Sequence, residues 1–340
     1  SSVQLFGKKV FNRVKTLELI GDIHFIDSGL FLECKSLTQI TIPSSVKKIC
    51  DYAFYICSSL QKIEFTIPSS LESIGNSAFY ECSSLKQVSI PSSVTAIENY
   101  AFYRCSTLKQ ITFDMPSTLT SIGDYVFKGC VSLVEVSIPK TVTSVGDHIF
   151  DGCALLTKLL IPSCMASYRI EKSFQCSSLE EITIPSSTTS IADYAFNGCS
   201  SLQQIKFEIP SSLTSIGNYS FRGCSSLTQI SIPSSVNSIG SDAFYKCTSL
   251  TKVSFETHSS LTSIGNYAFD GCLSLTQISI PSSVKSIGNY AFARCSSLAE
   301  ISIPPSTTYI GEGTYYGCLS MTRISIPTSI TFIGNHAFAK

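Results

Sequence analysis

The chain has 340 residues, 44% of them apolar and 14% charged, with 24 Lys plus Arg balanced by 24 Asp plus Glu. This apolar content excludes a disordered, highly solvated chain. The zero net charge argues against a nucleic-acid binder, which needs a basic excess or stripe, and no apolar run approaches the ~18–20 residues that span a bilayer.

Residues 1–10 fit no repeat and read as a short N-terminal cap segment. They lack the apolar stretch of a secretory signal. From residue 11 onward the chain is periodic, and periodicity overrides the usual conversion of length into domain count. Thirteen of the fifteen cysteines act as rulers, at 34, 57, 82, 105, 130, 153, 176, 199, 224, 247, 272, 295 and 318. Their spacings run 23, 25, 23, 25, 23, 23 and then repeat, so a six-unit block (34–175) is duplicated as 176–317. Residues 11–33 continue the pattern with Phe11 in the cysteine position. We expect about fourteen units forming a single solenoid over 11–340.

Each unit reads physically in the same way. In the unit 272–294, Gln277-Ile278-Ser279-Ile280 alternates polar and apolar residues, as a strand with one buried face does. Pro281 ends that strand and Ser282-Ser283 turns the chain. Val284 and Ile287 mark a second short extended piece, and Gly288-Asn289 a second turn. Ala291-Phe292 then points a ring inward from a short helical or 3₁₀ turn. One unit cannot bury its own apolar face, so the units must stack. Stacking puts like residues in ladders about 4.8 Å apart, including a phenylalanine ladder from Phe31 to Phe338 in which Tyr315 substitutes once.

Two departures break the pattern. The units beginning at 57, 105, 199 and 247 carry two extra residues just past the strand, at one rim of the solenoid, and each has an acid there: Glu64, Asp114, Glu208 and Glu256. These four form a candidate acidic rim. The bland reading is a bulge with a solvated carboxylate; the sharper one is a contact for a basic partner or cation, although no calcium-loop spacing accompanies it. The unit 153–175, at the seam between the blocks, has Tyr168-Arg169 in place of Ile-Gly and Phe174 one place late. No polar cap follows Phe338, so we expect further sequence, a partner or a second copy to cover that end.

The pattern LxxIxIPSSVxxIGxxAFxxC, repeated over residues 11–340, resembles the BspA-like leucine-rich repeats of bacterial surface proteins, which are expanded in mucosal protozoan parasites. The resemblance implies a leucine-rich-repeat β-solenoid with parallel strands and a role in binding or adhesion at a cell surface or outside the cell, although a cytoplasmic home is not excluded by the residues.

The sequence offers no chemistry. It has no CxxC pair for zinc, no GxSxG elbow and no phosphate loop, and its four histidines lie far apart. We expect no enzyme activity, no cofactor and no metal. The ladder cysteines read as buried free thiols; Cys50 and Cys164, outside the ladder, are the better candidates for reactivity. The candidate binding surface is the outward row of the strand face: Gln39, Lys62, Gln87, Gln110, Glu135, Lys158, Glu181, Gln204, Gln229, Lys252, Gln277, Glu300 and Arg323. A tyrosine row two residues before the phenylalanines reads as packing or an aromatic strip. The expected partner is a protein or cell-surface ligand, met by a broad multivalent contact, as in an adhesin or surface antigen. The alternative is an intracellular scaffold with shape-based contacts.

Overall fold

The computed structural model describes residues 13–161 and 178–340. The cap segment 1–10, Phe11, Cys164, Tyr168, Arg169, Phe174 and Cys176 lie outside the described residues. The chain divides into two compact units, Ser1–Met165 and Ala166–Lys340. Each is a stack of coils in which all strand pairing among the described residues is parallel. Thirteen coils show both of their strands among the described residues. In the remaining expected unit, the seventh in chain order at 153–175, only the strand Lys158–Leu160 is described.

A coil is built from three sides. In the coil beginning at Cys224, the strand Gln229–Ile232 exposes Gln229 and Ser231 and buries Ile230 and Ile232. Its pairing with the next coil is in register, Gln229 opposite Lys252 and Ile232 opposite Phe255. This alternation is the period of two that a one-sided sheet demands. Pro233 follows, and the second strand, Ser238–Ile239, buries its isoleucine. The third side takes the form of overlapping turns rather than a helical turn. Backbone NH groups there alternate between a carbonyl three residues back, as in Tyr55 to Tyr52 and Cys57 to Phe54, and a carbonyl of the next coil, as in Phe54 to Ala78 and Ile56 to Tyr80. Two left-handed residues per coil allow this, for example Tyr52 (φ 58°) and Ile56 (φ 56°). The second of these positions precedes the cysteine, which is why Gly-Cys recurs: Gly271 has φ 74° there.

The Ile-Gly step has a different cause from the turn read in the sequence. Gly288 does not have a positive φ; a Cβ on it would lie 2.5 Å from the backbone nitrogen of Asn266 in the preceding coil. Glycine sits there because two coils touch backbone to backbone.

The core runs along each stack. Phenylalanine rings pile face to face at 5.1–5.9 Å with interplanar angles as low as 3°. Each buried ring contributes about 1.5–3 kcal/mol of burial and about 0.5–1.5 kcal/mol more for the aromatic pair. The described ladder cysteines are buried and form no disulfide. Ten of their thiols donate to a phenylalanine carbonyl one coil back, as Cys57 does to Phe31 at 3.0 Å and Cys247 to Phe221 at 3.2 Å.

The two-residue insertions leave the second-strand ladder intact in both units. On the first-strand side they disturb it. After the inserted coil 105–129, strand pairing to the next coil shrinks to Gln110 opposite Glu135. After 57–81, the strand Lys62–Phe65 ends one sheet and Gln87–Ile90 belongs to another. The surplus residues loop outward, and pairing resumes beyond them, Ser70 NH to Ser44 carbonyl.

Candidate binding faces

Many serines and threonines are scaffold. At several Pro-Ser-Ser turns the second serine donates to a carbonyl of the preceding coil, as Ser93 does to Leu71 (2.8 Å) and Ser235 to Leu213 (2.7 Å), although the Ser283 hydroxyl has no partner among the described residues. The Asn/Asp residue two places after the second-strand isoleucine does the same in reverse. Its side-chain oxygen accepts the backbone NH of its counterpart one coil on: Asp51 from Asn76 (2.9 Å), Asn99 from Asp124 (2.7 Å) and Asn266 from Asn289 (2.8 Å). These ladders satisfy backbone donors that the turns leave without partners.

The strand face is different. The row Gln39, Lys62, Gln87, Gln110, Glu135 and Lys158 in the first unit, and Glu181, Gln204, Gln229, Lys252, Gln277, Glu300 and Arg323 in the second, points outward from the first strands. Three of these side chains are engaged locally. Gln39 donates to Glu64 (3.0 Å), Lys62 pairs with Glu64, and Lys206 pairs with Glu181 at 2.7 Å. The remaining ten make no side-chain hydrogen bond or ion pair among the described residues.

The four acids of the expected rim do not form one cluster. Glu64 lies within the strand Lys62–Phe65 rather than past it, and the Lys62 ammonium together with Gln39 and Thr41 pulls its carboxyl below the usual range. Asp114 follows its strand and accepts from Ser89 Oγ at 2.6 Å. Glu208 and Glu256 fold back on the preceding coil and accept backbone NH groups, from Ser186 at 3.2 Å and Ser234 at 2.9 Å.

The insertions also expose apolar side chains that the sequence reading passed over. Ile67, Met115 and Ile209 are 79%, 74% and 78% exposed, each preceding a cis proline. The signal was present. Phe65 already fills the inward place opposite Ile42, so an apolar residue two positions later has nowhere to go but outward. Between these ribs the strand face is grooved. One groove, of about 570 Å³, is lined by Thr41, Glu64, Phe65, Ile67, Ser89 and Asp114. Another, of about 520 Å³, lies across Met115 and is lined by Phe113, Glu135, Ser137, Pro139 and Leu160 among others.

The tyrosines stand on the turn side. Tyr55, Tyr80 and Tyr103 stack at 4.7 Å, and beside them Tyr100, Tyr125 and His148 stack at 4.9 and 5.1 Å. Because ring faces meet one another, what these columns offer to solvent is mainly edges and hydroxyls. Arg104 and Lys128 lie over Tyr103 and Tyr125. The second unit carries an ion pair with one buried partner here: Asp270, fully buried, is held by the exposed Arg294, whose Nε donates at 2.8 Å. Burial pushes the Asp270 carboxyl up, against the pull of Arg294. Burial likewise pushes the Cys247 and Cys318 thiols up to about 12, whereas the hydrogen bond with Cys57 pulls the Cys34 thiol down. Cys50 is half-buried and raised too.

No group of three or more His, Cys, Asp or Glu able to hold a metal ion occurs among the described residues, and no described helix is long and apolar enough to cross a membrane.

The chain is similar to crystallised leucine-rich repeat proteins. A leucine-rich repeat protein from Bacteroides ovatus is 29% identical with a TM-score of 0.61, over 96% of this chain and 84% of that one. A leucine-rich cell surface protein from Faecalibacterium prausnitzii is 30% identical with a TM-score of 0.44, over 92% and 83% of the two chains. No curated protein sequence matches. The BspA-type leucine-rich repeat region matches in overlapping segments, 24–154, 110–228, 201–261 and 214–340. With the parallel solenoid and the Phe and Cys ladders, that coverage places the chain in the BspA-type leucine-rich repeat family.

Proposed function

We propose that the chain is a protein-recognition module displayed at a cell surface, acting in adhesion or as a surface antigen, with the first-strand face as its contact surface. The observation that carries this reading is a division of labour among polar residues. Many serine, threonine and Asx side chains elsewhere are tied into coil-to-coil ladders, whereas ten of the thirteen side chains of the strand-face row make no hydrogen bond or ion pair among the described residues. Similar residues repeated at the strand spacing suit a wide contact built from many weak points rather than one hot spot. The cell-surface neighbour supports display outside the cell.

The test is adhesion of intact cells and of purified extracellular matrix proteins to the immobilised chain. We expect Gln87, Gln110, Gln229 and Gln277 changed together to Ser to reduce adhesion about tenfold or more, with the fold retained by circular dichroism. Equal adhesion by the variant would refute the strand face as the contact. Absence of the chain from the surface of intact cells by antibody labelling would favour an intracellular scaffold.

A further inference from the structure

We infer that the first unit takes up an extended segment of a partner protein by strand addition, along the open edge of the strand Lys62–Phe65, and that this segment carries basic residues on its outward side. The inference rests on the strand-face reading above and names the partner class for one part of that face.

The backbone sets the site. In these parallel ladders the inward residues turn their NH and carbonyl groups toward the following coil. Ile42 accepts there from the Thr66 NH at 2.9 Å, Ile90 accepts from the Asp114 NH at 2.9 Å, and Ile138 donates to the Leu160 carbonyl at 3.1 Å. Ile63 and Phe65 face the following coil in the same way, but no strand pairing meets them. The strand Lys62–Phe65 ends the sheet that contains Gln39–Ile42, and Gln87–Ile90 begins another. The nearest tie is from the Lys86 NH to the Gln61 carbonyl at 3.4 Å, just before both strands. Past Ile90 stands Pro91, which has no NH to offer. The split reaches the edge of the core: Ile63 is 7% exposed, against 0–3% for Ile40, Val88 and Ile111.

Such an edge selects its ligand by chemistry. Donors and acceptors alternating along an open strand are matched by another extended backbone. The groove of about 570 Å³ lies over this edge, with Ile63, Glu64, Phe65 and Ile67 in its lining. Side chains of an added strand alternate between two faces. One set meets Ile63 and Phe65, which suits aliphatic residues. The other stands among Glu64 and Asp114. Lys62 already pairs with Glu64, whereas Asp114 accepts only from Ser89 and has no cation among the described residues. Lysine or arginine on the outward side supplies one. The second unit has the same break, between Gln204–Phe207 and Gln229–Ile232, with Ile205 again 7% exposed. There Lys206 stands in the place of Glu64 and repels a basic segment, which confines the inference to the first unit.

Fluorescence anisotropy and amide hydrogen exchange on the full chain test it. The probe is a labelled peptide, Thr-Val-Arg-Val-Arg-Val-Thr. Controls are versions N-methylated at the valines or at the arginines, and one with Glu in place of Arg. We expect one N-methylated version, the one whose lost NH groups face Ile63 and Phe65, to bind at least about tenfold more weakly, and the Glu version likewise. Ile63→Pro, which removes an edge NH, and Asp114→Asn should each weaken the probe about fivefold or more, while Ile205→Pro changes it less than about twofold. Circular dichroism melts confirm that the variants fold. In the free wild type the Ile63 amide should exchange at least about tenfold faster than the Ile40 amide, which faces a paired strand, and the probe should slow it by a similar factor. Exchange at Ile63 as slow as at Ile40 without the probe, equal binding of all the N-methylated forms, or no binding at all would overturn the inference. So would dimers of the chain that protect Ile63 without the probe, since a second copy would then hold the edge. If the peptide fails while the four-serine variant still loses adhesion, only the partner class falls and the strand face stands.

Discussion

Single residues carry distinct duties at equivalent places in the coil, and these can be separated by substitution. Phe244 is fully buried between Phe221 and Phe269. Phe244→Ala should cost about 3–5 kcal/mol in urea unfolding, since neighbouring coils cannot collapse into the gap without breaking their register. Tyr315 offers the opposite case. It replaces phenylalanine in the stack on Phe292, and its buried hydroxyl has no hydrogen-bond partner. Tyr315→Phe should therefore stabilise the protein by about 1–2 kcal/mol, relieving a desolvated donor. The thiols of Cys82, Cys105, Cys130, Cys224, Cys247, Cys272, Cys295 and Cys318 should be inert to Ellman's reagent in the native protein at pH 8, because burial raises them and leaves almost no thiolate; all should react after unfolding in guanidinium. Rapid native labelling of Cys247 would contradict the buried ladder.

Asp270 gives a pH dependence with a definite sign. Its folded value is raised above the ~3.9 of an unfolded chain. The folded state therefore holds the proton more tightly, and the stability this brings is full below about pH 4 and lost as pH rises through the folded value. Asp270→Asn keeps the shape without the charge. Melting temperatures measured from pH 4 to 7 should show wild type losing ground to this variant as pH rises. A constant difference would show that burial of the carboxylate is not what sets it.

At the scale of the element, the coil has one tolerant side and two rigid ones. The turn side is fixed by left-handed residues and coil-to-coil NH bonds, and the second strand by the close approach at glycine. Gly288→Ala would push a methyl against Asn266 and should destabilise by a few kcal/mol, well beyond the ~1 kcal/mol that alanine gains over glycine in backbone entropy. The end of the first strand is where length varies: 25-residue coils loop their surplus out while Ser69, Ser117, Ser211 and Ser259 each close a small turn by accepting an NH two residues on. Variation is tolerated there because the chain faces solvent, and the same tolerance creates ribs and grooves.

At the scale of the molecule, each coil touches only its neighbours, so stability within a unit is a sum of nearest-neighbour terms. Phe221→Ala and Phe292→Ala lie three coils apart in one unit. Their costs should add within about 0.5 kcal/mol, whereas Phe244→Ala with Phe269→Ala, which stack directly, should deviate by more. Equal additivity in both pairs would argue against ring-to-ring coupling along the ladder.

The sequence by itself determined the repeat, the parallel solenoid, the ladders and the inward or outward direction of nearly every residue, because a period of 23 or 25 with alternating apolar letters has one way to bury its core. It also named the strand-face row, since residues excluded from the core must face outward. Only the tertiary structure decided which of those polar residues are free. Whether Ser93 holds a carbonyl, whether Glu256 caps a backbone NH, and whether Asp114 has a cation depend on atoms a full coil away in sequence, brought within 3 Å by stacking. The same holds for the ribs. The letters show that Ile67 and Met115 are surplus to the core, but the groove between them exists only once two coils are set side by side and the inserted residues spread the strand ladder.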